Sequence, residues 1–305
     1  GISQKQFGFL KVPLKGAFTG VVIAPLSDHA ERLEWFESNS NRDGFFYPPQ
    51  MATYELDLKT HERKKKIERS ERSASVFHMP ASHEISIGNP AGRVESAFAD
   101  HALIMHLLAF LYGTRLQLTE WRFEGRIPYK PTNNVLVSEE ACIDFLEHVY
   151  CWWRALGNEE RTRFVNILYV LTRARSLEWE WDAFIHQYMV FDALYKLYTK
   201  LNPSRPKAGF HKQRFDVMLG EYDIPANNAL IEQIYTYRSQ LFHEAMWGGS
   251  SFCYGSKEKE ANAFNLPRHL GRLNSRIVCK MAGYRNEYAS SVWWSFSCFL
   301  FDKKQ

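Results

Sequence analysis

A chain of 305 residues, 45% hydrophobic and 15% aromatic, has enough apolar side chain for at least one large core, and its length allows about two domains. Its net charge of +4 excludes a chain basic enough to bind nucleic acid over its whole surface, so the placement of charge matters more than its sum. The longest apolar run near the middle, ALIMHLLAFLYG from Ala102, is broken by His106 and falls short of the ~20 residues that span a bilayer. With no secretory-type opening and no C-x-x-C pair among Cys142, Cys151, Cys253, Cys279 and Cys298, free thiols and a cytoplasmic, non-membrane location are expected.

Over residues 1–92, short runs such as GVVIAPL and TYELDL are divided by Pro13, Pro25, Gly44, Pro48, Pro49, Pro80, Gly88, Pro90 and Gly92. That punctuation favours strands and turns and predicts a β-rich N-terminal domain. Tyr54, Leu56 and Leu58 alternate with Glu55 and Asp57, as in a half-buried strand. Between Lys59 and Arg72 stand seven Lys or Arg against three Glu. The plainer reading of that stretch is a hairpin with a solvated, Lys-rich loop or edge; the other is a nucleic-acid contact.

Residues 93–177 form a helical or mixed connecting region. Ala97, His101, Ile104, Leu108 and Leu111 follow one another at steps of three and four, predicting a helix that Gly113 stops. A strand-like TRLQLTEW follows. Ser138, Glu140 and Ala141 then open a helix with Ile143, Leu146, Val149 and Trp153 on one face, ended at Gly157-Asn158.

From Glu159 onward nearly everything reads as helix, with residues 178–305 expected to form an all-helical bundle, so the fold class expected for the whole chain is α+β. Between Glu178 and Leu201, Phe184, Tyr188, Phe191, Tyr195 and Tyr198 alternate steps of four and three, the pattern of a helix facing a partner helix. Asp192 borders that stripe and needs a cation if buried. A short helix is expected over HKQRFDVMLGEY. The next long one, about Asn227 to Met246, has an apolar face of Ile231, Ile234, Leu241 and Ala245, with Arg238 where a Leu would be expected. Asp192 is the candidate partner of Arg238. His243 lies about 140° around the helix from Arg238 and about 7.5 Å along it, so the two are expected to converge only at a rim, through a distorted helix end, or across a dimer axis.

The run from Trp179 to about Tyr288 resembles the HEPN (higher eukaryotes and prokaryotes nucleotide-binding) family, a helical bundle whose catalytic members carry Arg, four to six residues, then His. Its elements here are WDAFIHQYMVFDALYKLY, IEQIYTYRSQLFHEA and RLNSRIVCKMAGYRNEY. The resemblance implies a metal-independent endoribonuclease of defence or toxin type, without a cofactor, acting on RNA as a homodimer. His243 would serve as general acid or base, since imidazole titrates near neutrality, and Arg238 would stabilise phosphate charge. Ser239 stands where active members often carry Asn, Asp or His. A hydroxyl can still bond a phosphate, and the alternative is a non-catalytic RNA- or nucleotide-binding regulator. The nucleotidyltransferase that often accompanies the family is not encoded, which leaves room for a separate regulatory partner.

Arg268, Arg272, Arg276 and Lys280 recur every four residues opposite Leu270, Leu273, Ile277, Met281 and Tyr284, and no Glu or Asp occurs from Ala261 to Gly283. Such a ribbon could follow an RNA backbone, or could be the charged outer face of an ordinary amphipathic helix. No H-E-x-x-H, P-loop, G-x-G-x-x-G or G-x-S-x-G is present, so neither a metal site nor those chemistries are expected.

Overall fold

The structure is a computed structural model that describes residues 1–38, 40, 44–47, 53–60, 62–67, 76–88, 94–128, 130–205, 207–248 and 265–305. It is α+β, with a sheet-containing N-terminal part and a helical C-terminal part. In chain order the first elements are β1 (Ile2–Gly8), β2 (Gly16–Phe18), β3 (Val21–Pro25), α1 (His29–Ser38), β4 (Phe45–Phe46), β5 (Thr53–Leu56), β6 (Arg63–Ile67), β7 (Val76–Phe77) and β8 (His83–Gly88). Then come α2 (Val94–Leu111), β9 (Gln117–Leu118), β10 (Phe123–Glu124), β11 (Ile127–Pro128) and β12 (Val135–Val137). The remainder is α3 (Glu139–Arg154), α4 (Asn158–Ala174), α5 (Glu180–Leu201), α6 (His211–Glu221), α7 (Asn228–Glu244), α8 (Leu266–Met281), α9 (Glu287–Ser290) and β13 (Phe299–Phe301).

The main sheet is antiparallel, in the order β2-β3-β8-β1-β9. Alternate residues of its strands, Val21, Ile23, Ile85 and Ile87, face inward, whereas Val22 between two of them is exposed. α2 packs on this sheet and also against α3 and α4. Covered on every side, it is buried from His101 through Leu111, which accounts for its unbroken apolar run. Gly113 follows at φ 62°, where a Cβ would meet Asn133 Oδ1 at 2.5 Å, so both conformation and space favour glycine.

The sheet does not stop at residue 92. Its edge strand β9 comes from residues 117–118, and one apolar cluster runs from Phe7 through every long helix to Phe301. The boundary at Gly92 itself lies outside the described residues. β13 returns to pair in parallel with β12, so the aromatic tail closes against the middle of the chain.

α1 corrects the expectation of strands and turns throughout the first 92 residues. The window from Leu26 to Asp43 holds no Pro or Gly, and His29, Leu33 and Phe36 recur at helical spacing. Phe36 is buried in a second cluster with Phe9, Phe46, Phe77 and Phe123. The start of the basic stretch forms the expected hairpin, β5 pairing with β6 around a turn in which Lys59 N and Thr60 N donate to Asp57 Oδ1. Its continuation over 68–75 lies outside the described residues.

Two buried histidines tie this core to pH. Burial holds His83 at about 3 and His106 at about 4, and His106 Nδ1 has no hydrogen-bond partner. The unfolded chain takes up these protons below about pH 6.5 and the folded chain does not. The stability they contribute is therefore complete above pH 6.5 and is lost as pH falls toward 4, by about 1.4 kcal/mol per unit for each imidazole. Urea unfolding of His106→Leu between pH 7 and 4.5 should show a slope shallower by about that amount; parallel wild-type and variant slopes would remove His106 from the account.

Candidate active site

α5 is the central helix of the bundle, packed between α4 and α8. Phe184, Tyr188, Phe191, Tyr195 and Tyr198 are all buried, as their spacing requires. α7 lays Ile231, Ile234 and Leu241 into the same core, whereas Ala245, expected on that face, is exposed. It caps the helix in the left-handed conformation, φ 51°.

Arg238 and His243 meet within one chain, Arg238 Nη1 lying 3.1 Å from His243 Nε2. The helical offset that argued for a dimer axis does not keep them apart. Cα–Cβ bonds tilt toward the helix N-terminus, so His243 leans back over the turn that carries Arg238, whose long side chain reaches it. The guanidinium lies over the rings of Phe242 and Tyr188, 5.1 and 5.7 Å from their centroids.

The expected ion pair between Asp192 and Arg238 is replaced by a relay. Asp192 Oδ1 accepts from Arg214 Nη1 at 2.7 Å and lies 3.6 Å from His211 Nδ1. On the other side of that ring, His211 Nε2 is 3.4 Å from Arg238 Nη2. His211 and Arg214 stand in the first turn of α6, which enters between α5 and α7, and they are the site residues that sequence reasoning missed. The signal available was a His and an Arg three apart in an otherwise polar first turn.

Protonation follows from donor counting. Guanidinium only donates, so Nε2 of both His211 and His243 must accept, and each ring carries its proton on Nδ1. His211 Nδ1–H then points to Tyr188 Oη, 3.4 Å away, and to Asp192. Burial lowers the His211 pKa, Asp192 opposes that, and Arg214 and Arg238 add to it. His211 is accordingly neutral at pH 7. Ser239 is half-buried, and among the described residues its hydroxyl bonds to no member of this cluster.

The basic ribbon is overturned for three of its four members. Only Arg268 is exposed, while Arg272, Arg276 and Lys280 are buried at 8%, 0% and 8% exposure. Arg276 donates to Ser291 O and Oγ, Val292 O and Arg272 O, and lies over Tyr288 and Phe299. Arg272 Nη1 donates to Ser295 O and Lys280 Nζ to Ser290 Oγ. These cations secure the returning C-terminal segment, so they cannot form an RNA track.

Among the described residues no three His, Cys, Asp or Glu side chains gather as a metal site, and no helix is long and apolar enough to cross a membrane. Cys142, Cys151, Cys279 and Cys298 are free; burial pushes the Cys142 and Cys279 thiols up to about 12, which makes them inert. Cys253 lies outside the described residues. Comparison of the chain with protein-family models, with curated proteins and with solved structures finds no match.

Proposed function

We propose that this protein is a metal-independent endoribonuclease of HEPN type, with its active site on α5, α6 and α7. The observation that carries the proposal is the Arg238 guanidinium held between two imidazoles, one half-buried and neutral, the other exposed at the helix end.

Cleavage of RNA through its 2'-hydroxyl needs a base to take that proton, an acid to protonate the departing 5'-oxygen, and positive charge on the phosphate between them. His211 suits the base because its Nε2 already presents a lone pair, while Asp192 and Tyr188 hold the proton on Nδ1. His243, exposed beside Arg238, suits the acid in its imidazolium form, its Nε2 taking up a proton once Arg238 turns to the phosphate. Arg238 lies between the two and turns its donors from the imidazoles to the phosphate oxygens when substrate enters. The 2'-oxygen attacks phosphorus, the bond to the 5'-oxygen breaks, and the products are a 2',3'-cyclic phosphate and a 5'-hydroxyl.

One chain supplies all of these groups. A homodimer through the bundle, implied by the resemblance, is part of the proposal as an arrangement of two complete sites, and light scattering tests it. The test of the chemistry is cleavage of a labelled RNA in excess EDTA. Cutting is expected to persist, to leave cyclic-phosphate ends, and to spare DNA of the same sequence. Cutting that stops on chelation would overturn the proposal.

A further inference from the structure

The charge around His211 is unbalanced. Among the described residues two guanidiniums and one carboxylate act on its ring: Asp192 from α5, Arg214 from its own helix α6, and Arg238 from α7. His243 stands beyond Arg238, and the Tyr188 hydroxyl is 3.4 Å from Nδ1. Lys212, next in the chain, is paired with Glu232. Asp192 is thus the group that favours an imidazolium here, and it is already engaged. Its Oδ1 lies 2.7 Å from Arg214 Nη1 and 3.6 Å from His211 Nδ1, a hydrogen bond to the first and an unclosed gap to the second.

Arg214 is fixed where it stands. Asp192 and Tyr195 are three residues apart on α5, so they share a face, and the guanidinium donates to the carboxylate while lying over the Tyr195 ring, 5.2 Å from its centroid. The Arg214 and Asp192 side chains are 25% and 31% exposed, so the pair is half-buried, where charges act on one another more strongly than in water. An imidazole whose Nδ1–H closes on a carboxylate holds a second proton more tightly, and one flanked by cations gives it up. Arg214 acts on both counts. It occupies the oxygen that His211 would otherwise bond, and it adds positive charge one turn along the same face of α6.

We propose that Arg214 is a positioning residue that holds the Asp192 carboxylate off His211, keeping the imidazole neutral with its Nε2 lone pair available. The inference rests on the reading of His211 as the base in RNA cleavage, and it adds what sets the pH range over which that base works. Burial and the two guanidiniums act on the ring in one direction and Asp192 in the other, so removing one guanidinium tips the balance. Without Arg214, Oδ1 is free to close on Nδ1–H and Asp192 stabilises the protonated ring. A proton on Nε2 then fills the lone pair that must take the 2'-hydroxyl proton, and it faces Arg238 Nη2, 3.4 Å away, donor against donor.

NMR titration of the histidine Cε1–H resonances in the full chain, with His211→Asn identifying the resonance, tests this without reference to RNA cleavage. In Arg214→Gln, His211 is expected to titrate about one pH unit higher than in the wild type. Arg214→Lys, which returns the charge, should restore most of the difference. Asp192→Asn, which removes the carboxylate and leaves the guanidinium, should move the titration the other way and decides the matter if Arg214→Gln does not fold. In parallel, cleavage by Arg214→Gln should fall about tenfold near pH 6 and much less near pH 8.5, whereas a loss of structure would lower both alike. A His211 resonance unmoved in folded Arg214→Gln, or unmoved in Asp192→Asn, would overturn the proposal. The two readings fail separately: both shifts in a protein that cuts no RNA would refute the ribonuclease and leave the hold of Arg214 on Asp192 standing, while cleavage with unmoved resonances would refute Arg214 alone.

Discussion

His243→Ala is expected to lower the rate of RNA cleavage by about two to four orders of magnitude while leaving the fold intact, because it removes a positioned proton donor from an exposed helix end. His211→Ala should cost a similar factor and should also abolish the acidic limb of the pH–rate profile. A ring whose pKa lies below its ordinary value serves as base over most of the neutral range and fails as pH falls through that value. Arg238→Ala should be as severe, and Arg238→Lys little better, since one ammonium cannot span two phosphate oxygens as a planar fork does. Removing Arg238 does not strand a buried carboxylate, because Asp192 keeps Arg214 at 2.7 Å. Circular dichroism of each variant beside single-turnover cleavage separates folding from chemistry. A folded His243→Ala protein that cuts at the wild-type rate would end the acid–base mechanism and leave an RNA-binding regulator as the better reading.

The helical half was legible because each long helix declares itself by its own period. The aromatic stripe of α5 and the Ser138 cap of α3, which accepts from Ala141 N, are where their spacing places them. Arg238 was legible as a misfit in an apolar face. Its surroundings were not, because periodicity treats one helix at a time. Asp192 and Arg238 lie on neighbouring helices, and nothing in either pattern reports that α6 begins between them with His211 and Arg214. The same blindness misled the reading of α8. A row of cations four apart looks identical whether water or a returning strand covers it, and the pairing of β13 with β12 is a contact across more than 160 residues. In the N-terminal part, Pro and Gly density hid α1, since punctuation averaged over ninety residues masks one uninterrupted window.

Arg276→Met is expected to destabilise the protein by about 3 to 5 kcal/mol, the largest stability loss among the substitutions considered. The guanidinium is fully buried and is the donor for Ser291 O, Ser291 Oγ, Val292 O and Arg272 O. Methionine fills much of the volume, so a cavity contributes little and the loss falls on polar groups. Charged hydrogen bonds are worth about 1.5 to 3 kcal/mol each, and carbonyls left buried without a donor cost a further 1 to 3. Several such terms do not add in full, because the segment from Ser290 to Ser295 can move toward water once its anchor is gone. That movement would expose Trp293, buried with its Nε1 donating to Pro225 O, and should loosen β13 from β12. Arg268→Gln, on the same helix and exposed, should change stability by no more than about 0.5 kcal/mol. Equilibrium urea unfolding of the two variants distinguishes an anchor from a solvated ribbon: equal and small effects would put Arg276 back on the surface, whereas a large loss confined to Arg276 fixes α8 as the post that holds the chain's end.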